Sequence, residues 1–310
     1  MHIDENHPIL REDLAAQGFE NHSDFHCSKQ ELIDKISSYQ GLIVRSRIPI
    51  DQSVLAAATN LEFIGRVGAG LENIDLNFAK QQGIHCIAAP EGNRNAVGEH
   101  ALGLLLSLLN KLNKADNEIR SGRWDREGNR GVELDGKTVG IIGYGHMGKQ
   151  FARKLRGFDL EVLCYDIKAN VGDDFARQVE MVEFFEKVEI LSLHLPHTEL
   201  TQGLCNLSFI KKFKHPFWLI NTGRGSAVVT SDLITALNSS KILGAGLDVL
   251  EFEKKSFENF FEQENLPDAF NTLLQCDRVI LSPHVAGWTA ESHKKLAQTI
   301  TEKVRALYAL

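Results

Sequence analysis

One hexapeptide constrains this chain more than any other, Gly143-Tyr144-Gly145-His146-Met147-Gly148. Alone, G-x-G-x-x-G is a common glycine turn. Here it follows the apolar run Val139-Gly140-Ile141-Ile142 and opens a helical stretch reaching about Gly157. That strand–turn–helix setting gives each glycine a job: a tight turn, backbone access to a pyrophosphate, and close packing of helix on strand. The helix N-terminus presents N–H groups to the anion. Asp166 follows the next expected strand, Val162-Leu163-Cys164-Tyr165. An acid there can accept hydrogen bonds from both ribose hydroxyls and repel a 2′-phosphate, so the pattern points to NAD rather than NADP.

The 310 residues exceed one ordinary core and suit two domains. A net charge of −7 argues against a nucleic-acid partner, which needs a basic face. It leaves room for a small anionic substrate. The five cysteines are scattered, with no CxxC pair and no metal-ligand spacing, as expected for reduced thiols in a cytoplasmic protein with no metal. Met1-His2-Ile3-Asp4-Glu5 has neither a basic region nor an apolar run, so no signal peptide is expected. No apolar stretch is long enough to span a membrane.

Before residue 100, short apolar runs (Gly41–Val44, Phe63–Val67, Ile84–Ile87) alternate with amphipathic stretches, the mark of a parallel sheet with crossover helices. A second series of strands is expected at Thr138–Ile142, Glu161–Tyr165, Ile190–Leu193, Trp218–Ile220, Ala245–Leu247 and Val279–Leu281. Residues Val97–Ile119 read as one long helix, apolar on nearly every face and therefore buried between domains or subunits. That helix suggests a homodimer. The amphipathic segment Thr289–Leu307 is expected to return to the first domain, making it discontinuous: 1–96 with 284–310, around 97–283. Hinges are expected near Ala96–Val97 and near Pro283.

In open α/β sheets, ligands bind beyond the carboxyl ends of the strands. The residues just past the expected strands here are Gly143, Asp166, His194, Asn221-Thr222-Gly223-Arg224-Gly225, Asp248 and Pro283-His284. A sheet using these ends only for turns would not repeat charge and imidazole there.

Six ordered motifs resemble the D-isomer-specific 2-hydroxyacid dehydrogenases, nearest the phosphoglycerate dehydrogenases and hydroxypyruvate/glyoxylate reductases. They are Gly65–Asp75, Val139–Gly148, His194–Thr201, Leu219–Gly225, Gly246–Val249 and Ser282–Gly287. The resemblance implies an α/β fold of two domains: a Rossmann NAD-binding domain and a flavodoxin-like, discontinuous substrate-binding domain. It also implies a short form without a regulatory extension. It assigns catalysis to Arg224, Glu253 and His284. Arginine's planar fork suits a carboxylate, and histidine titrates near neutral pH. Glu253 would orient the imidazole and fix its tautomer. Glu251 lies two residues earlier, and Lys254 stands where the family usually has proline after the glutamate.

By the same resemblance His146, Met147, Leu195, Thr222, Gly223, Asp248 and Gly287 join Gly143, Gly145, Gly148 and Asp166 around the cofactor. Asp248 would face the carboxamide, and His194 would pack beside the cofactor without moving protons. Gly68, Ala69 and Gly70 would offer backbone N–H groups to the substrate carboxylate. Arg45 and Ser46, after a strand of the first domain, and Arg94, in an expected loop, would meet the rest of the substrate.

Two arginines could bind a phosphate, so the expected reaction is oxidation of 3-phosphoglycerate to 3-phosphohydroxypyruvate in serine synthesis. A glyoxylate/hydroxypyruvate reductase, a D-lactate-type dehydrogenase and an NAD-sensing corepressor are the alternatives. An acidic, phenylalanine-rich segment, Lys254–Gln275, lengthens the gap between Glu253 and His284 and reads as a flap or a surface decoration.

Overall fold

Strands buried on both faces and helices buried on one give this chain two parallel sheets. The computed structural model describes residues 1–253 and 267–309. In chain order the elements are α1 (Ile9–Ala16), α2 (Lys29–Lys35), β1 (Gly41–Val44), α3 (Gln52–Ala57), β2 (Phe63–Arg66), α4 (Leu76–Gln81), β3 (His85–Ala88), α5 (Pro90–Leu109), α6 (Leu112–Arg120), β4 (Thr138–Ile142) and α7 (His146–Lys154). They continue with β5 (Glu161–Tyr165), β6 (Arg177–Gln178), α8 (Met181–Lys187), β7 (Ile190–Leu193), α9 (Leu207–Ile210), β8 (Phe217–Asn221), α10 (Thr230–Asn238), β9 (Ile242–Leu247), α11 (Asp268–Leu274), β10 (Val279–Leu281) and α12 (Ala290–Leu307). The chain divides into two units, 1–94 with 288–309, and 95–253 with 267–287. No helix among the described residues is long and apolar enough to cross a membrane.

In the first unit β1, β2 and β3 pair in parallel. Bridges from His2 to Ser23 and to Ile43 extend the sheet, giving the order 2-1-3-4-5 of a flavodoxin-like fold. Alternation along β1 feeds two cores. Leu42 and Val44 join Leu32, Val54 and Ile64 on one face. Ile43 joins Phe63, Leu10, Leu14 and α12 residues Leu296, Ile300 and Val304 on the other. Helix starts are set locally. Ser28 and Glu31 form a capping box, the Asp51 and Asp75 side chains accept from the first turns of α3 and α4, and Thr289 caps α12.

The second unit holds a seven-stranded, all-parallel sheet in the order β10-β9-β8-β7-β4-β5-β6. Its centre is the doubly wound arrangement of a Rossmann domain, with strand order reversing between β4 and β7. Residues 284–287 stay with this unit: the His284 N–H donates to Asp248 O at 2.8 Å, and Val285 and Ala286 N–H groups reach the Asp248 side chain.

Two expectations are corrected. The single helix over Val97–Ile119 is two helices, α5 and α6, separated at Lys111, whose φ is +52°. Ala101, Leu104, Leu105 and Leu109 are buried, whereas Leu112 and Ile119 are each 54% exposed. Gly92–Asn95 is not a loop. Helix α5 begins at Pro90, as proline's fixed φ favours at a first turn, and exposed Arg94 lies within it. Of the segment Lys254–Gln275, residues 254–266 lie outside the described residues; the remainder forms α11, where Phe270 and Leu273 are buried.

Gly92 lets α5 press onto α12: a Cβ there would stand 2.6 Å from Leu296 N and 2.7 Å from its Cα. Gly92→Ala should therefore destabilise the first unit by about 1–3 kcal/mol through overpacking, despite alanine's helix preference. Urea denaturation reads this directly, and an unchanged midpoint would contradict the packing argument.

Candidate active site

The glycine loop sits where β4 and β7 diverge. Gly143 follows β4 with φ +89°, and a Cβ on it would lie 2.4 Å from His194 O, so both conformation and space demand glycine. A Cβ on Gly148 would lie 2.3 Å from Gly143 O, which is why the helix can start so close to the strand. Gly145 is exposed, opens α7 and has no side-chain cap over it. A helix start of this kind, with a glycine at its N-cap in place of a capping side chain, is suited to a pyrophosphate.

Asp166 is wired into this loop. Its Oδ2 accepts the Tyr144 N–H at 2.8 Å and its Oδ1 the Lys168 N–H at 3.0 Å. Beneath it the buried Tyr144 hydroxyl donates to Asp173 at 2.6 Å, and Lys149 reaches the same carboxylate at 3.2 Å. Burial, then the Asp173 bond, push the phenol well above its usual range. The residues present thus fit a dinucleotide.

The neighbouring strand ends are held by hydrogen bonds that spacing does not reveal. Fully buried Asn221 accepts the Gly223 N–H (3.1 Å) and donates to Arg224 O (3.0 Å), stapling the turn that carries Arg224. A Cβ on Gly223 would lie 2.7 Å from Leu195 N, and one on Gly225 would lie 1.9 Å from Leu250 O. The half-buried Arg224 donates from Nη1 to Gly223 O at 2.7 Å. His194 lies buried between Ser192 Oγ (2.9 Å) and Thr222 Oγ1 (3.3 Å), its pKa lowered to about 3 by desolvation. His146 is exposed and Met147 half-buried on the first turn of α7; Leu195 and Gly287 are half-buried.

His284 takes a left-handed φ of +55°. Its Nδ1 lies 2.6 Å from Glu253 Oε2, and Glu253 Oε1 receives the Leu250 N–H. Glu251 points elsewhere and accepts the Thr230 N–H at 2.8 Å at the start of α10. The geometry therefore separates two acids that spacing left close. Asp248 is 1% exposed and its oxygens accept from Ser282 Oγ (2.6 Å), Val285 N (2.9 Å) and Ala286 N (2.8 Å). In this structure it clamps the His284 loop, where the sequence suggested only a carboxamide contact.

In the first unit, Arg45 follows β1. Its guanidinium lies 4.2 Å from the Trp288 ring centroid, and its backbone is tied by Asp4 Oδ2 (2.5 Å) and Asn73 (3.0 Å). Burial lowers its pKa. Among the described residues no carboxylate forms an ion pair with it; Asp4 pairs instead with Arg47 at 3.4 Å. Ser46 beside it is half-buried. The Gly68 N–H is already donated to Arg66 O at 2.8 Å, so Gly68 serves the turn rather than donating outward; Ala69 and Gly70 are half-buried. Sequence reasoning gives no role to His100, Ser282, Asn221 or Trp288. Ser282 and Asn221 stand inside two of the ordered motifs, but nothing in spacing assigns a hydrogen-bond partner.

Comparison with known proteins gives this geometry a family. Residues 102–286, more than half of the chain, match the NAD binding domain of the D-isomer specific 2-hydroxyacid dehydrogenases, and the chain belongs to that family. It is 36% identical over 282 residues to a D-3-phosphoglycerate dehydrogenase of Archaeoglobus fulgidus, covering 89% of this chain and 51% of that protein. It therefore spans about half the length of that relative. A hydroxypyruvate reductase of Thermotoga maritima is 32% identical over 279 residues, covering 90% and 88%. The crystal structure of a D-lactate dehydrogenase from Aquifex aeolicus complexed with NAD and lactic acid matches with a TM-score of 0.81 at 25% identity, over 97% and 92% of the two chains.

Burial of His194 has a pH signature. Its folded-state pKa of about 3 lies below the ordinary 6.5, so the unfolded chain takes up the proton first. The stability it contributes is complete above pH 6.5 and is lost as pH falls toward 3. From about pH 7.5 to about pH 5 this costs about 2 kcal/mol. Urea unfolding at both pH values checks it: His194→Gln should flatten the slope, and an unchanged slope would assign the acid sensitivity to other groups.

Proposed function

We propose that this chain is an NAD-dependent dehydrogenase of D-2-hydroxy acids, with 3-phosphoglycerate oxidised to 3-phosphohydroxypyruvate as its reaction. The pairing of His284 Nδ1 with Glu253 Oε2 at 2.6 Å carries the reading, because it prepares an imidazole for proton exchange. With Nδ1 donating to the carboxylate, Nε2 takes the hydroxyl proton in oxidation and returns one to the ketone in reduction. Arg224 holds the substrate carboxylate and polarises the reacting carbon–oxygen bond. Gly143, Gly145, Gly148 and Asp166 hold the dinucleotide, with Thr222, Gly223, Leu195 and Gly287 beside it. Hydride acceptance is the chemistry a bound nicotinamide supplies; the protein orients substrate and moves one proton.

The phosphate assignment is supported by Arg45, a half-buried cation stacked on Trp288 that feels the Asp4 charge but forms no salt bridge among the described residues. Burying such a charge is costly unless an anion meets it. Ser46, Ala69 and Gly70 belong to the same substrate side; exposed Arg94, on α5, is a weaker member. A hydroxypyruvate reductase is the second reading, favoured by the Thermotoga maritima relative, most of whose length the chain spans.

Steady-state kinetics decides between them. With NAD, kcat/KM for 3-phosphoglycerate should exceed that for glycerate by roughly 10–100-fold, the worth of charged hydrogen bonds. A preference for unphosphorylated hydroxypyruvate with NADH would replace this substrate by the second reading. His284→Ala should lower kcat by about 10²–10⁴-fold while NADH affinity changes little; wild-type turnover would overturn the mechanism.

The assembly we propose is a homodimer. Leu112 (54%), Ile119 (54%), Trp124 (80%) and Val132 (40%) are exposed within one stretch of chain, more large apolar surface than so short a segment usually leaves in water. Sedimentation velocity should give a dimer at micromolar concentration, and Trp124→Glu should shift it toward monomer. A wild-type monomer would exclude this surface as an interface.

A further inference from the structure

We propose that His100 is a positioning residue for His284, acting through Ser282 and Asp248. The inference rests on the reading of His284 as the proton-exchanging group. All four residues belong to the second unit.

Helix α5 brings His100 to this place by packing. His100, Leu104 and Leu108 recur every fourth residue, which puts them on one helix face. That face lies against β9: a Cβ on Gly246 would stand 3.0 Å from Leu104 Cβ and 3.3 Å from Leu108 Cδ1. Glycine at 246 thus admits the helix, and one turn earlier the same face presents His100 just beyond the end of β9. There its Nε2 is 2.9 Å from Ser282 Oγ and 3.4 Å from Asp248 Oδ1.

The hydrogen bonds around Ser282 fix the direction of this chain of contacts. Ser282 has one hydroxyl proton and gives it to Asp248 Oδ1 at 2.6 Å. Its Oγ therefore accepts from His100, which makes Nε2 the protonated nitrogen. Asp248 in turn receives Val285 N and Ala286 N, and its carbonyl receives the His284 N–H at 2.8 Å. The donors from 282, 284, 285 and 286 so converge on Asp248. Between them His284 holds φ +55°, a conformation that a non-glycine residue keeps only when its surroundings impose it. Without His100, the Ser282 hydroxyl loses the donor that sets its rotamer, and one of the contacts orienting the clamp is gone. The expected consequence is an imidazole displaced from its reacting position, with the glycine loop and Asp166 untouched.

The test compares His100→Leu, His100→Gln, Ser282→Ala and the Leu/Ala double variant, measuring kcat, KM for the keto acid and NADH affinity by fluorescence titration. Gln keeps an N–H donor at nearly the reach of Nε2. Leu and Ala should each lower kcat by about tenfold or more, as small misplacements of reacting groups do, with NADH affinity within about twofold of wild type. Gln should recover most of kcat, and the double variant should be no slower than the worse single one, since both changes break one chain of contacts.

Wild-type kcat in the Leu variant, a Gln variant as slow as Leu, or an equal loss of NADH affinity would each overturn the proposal. If the Leu variant does not fold, Ser282→Ala decides, and wild-type turnover there overturns it as well. His284→Ala separates the two layers. An inactive His284→Ala with a fully active His100→Leu removes this inference alone, whereas an active His284→Ala removes the reading beneath it too.

Discussion

The all-parallel hydrogen bonding of the seven-stranded sheet is the constraint on which the chemistry of this chain depends. Parallel pairing sends every strand of the second unit out at the same edge, so Gly143, His194, Thr222, Asp248 and Ser282 follow strands that end together. Reversal of strand order between β4 and β7 opens a crevice there that no crossover covers. Close packing then sharpens the edge. Gly143 and Gly223 stand where any side chain would strike the backbone of 193–195, so adjacent strand ends are drawn within a few ångströms of one another. Burial of both faces of the sheet makes the edge rigid, while the residues that follow the strands are irregular and are held by side chains instead.

Those side chains are the less legible half of the site. The glycine loop can be read from sequence because its requirements are local: a left-handed φ at 143 and a close approach at 148 admit one residue type. Asp166 is legible for the same reason, lying at a fixed distance along the next strand. Partners distant in sequence leave no such mark. The family resemblance makes Asp248 a cofactor contact, but nothing in its spacing tells that its oxygens are also engaged by residues 34 to 38 positions later. Glu251 and Glu253 are nearly indistinguishable on paper. The fold separates them because the start of α10 takes the first and His284 takes the second.

The break between α5 and α6 has a different cause. Helix α5 ends before Lys111 with no glycine or proline to announce it; a lysine adopts the left-handed conformation and its ammonium reaches Gly128 O at 3.0 Å. Tertiary contact pays for a backbone state that local propensity disfavours. At the other end the turn residues Gly92 and Asn93 suggest a loop, but Gly92 is in the helix for want of room beside Leu296. In both places packing overrides the local signal, whereas the strands, short apolar runs buried on both faces, are read far more accurately.

Asp166 shows how closely recognition and architecture are joined here. The carboxylate proposed here to meet a cofactor's ribose also accepts the Tyr144 N–H, inside the glycine loop. On that proposal selectivity and scaffold share one side chain. A lineage drifting toward the phosphorylated cofactor could not simply exchange this acid for a neutral or basic residue. It would first have to find another acceptor for that amide, so cofactor choice in this chain is guarded by the cost of rebuilding the loop beneath it.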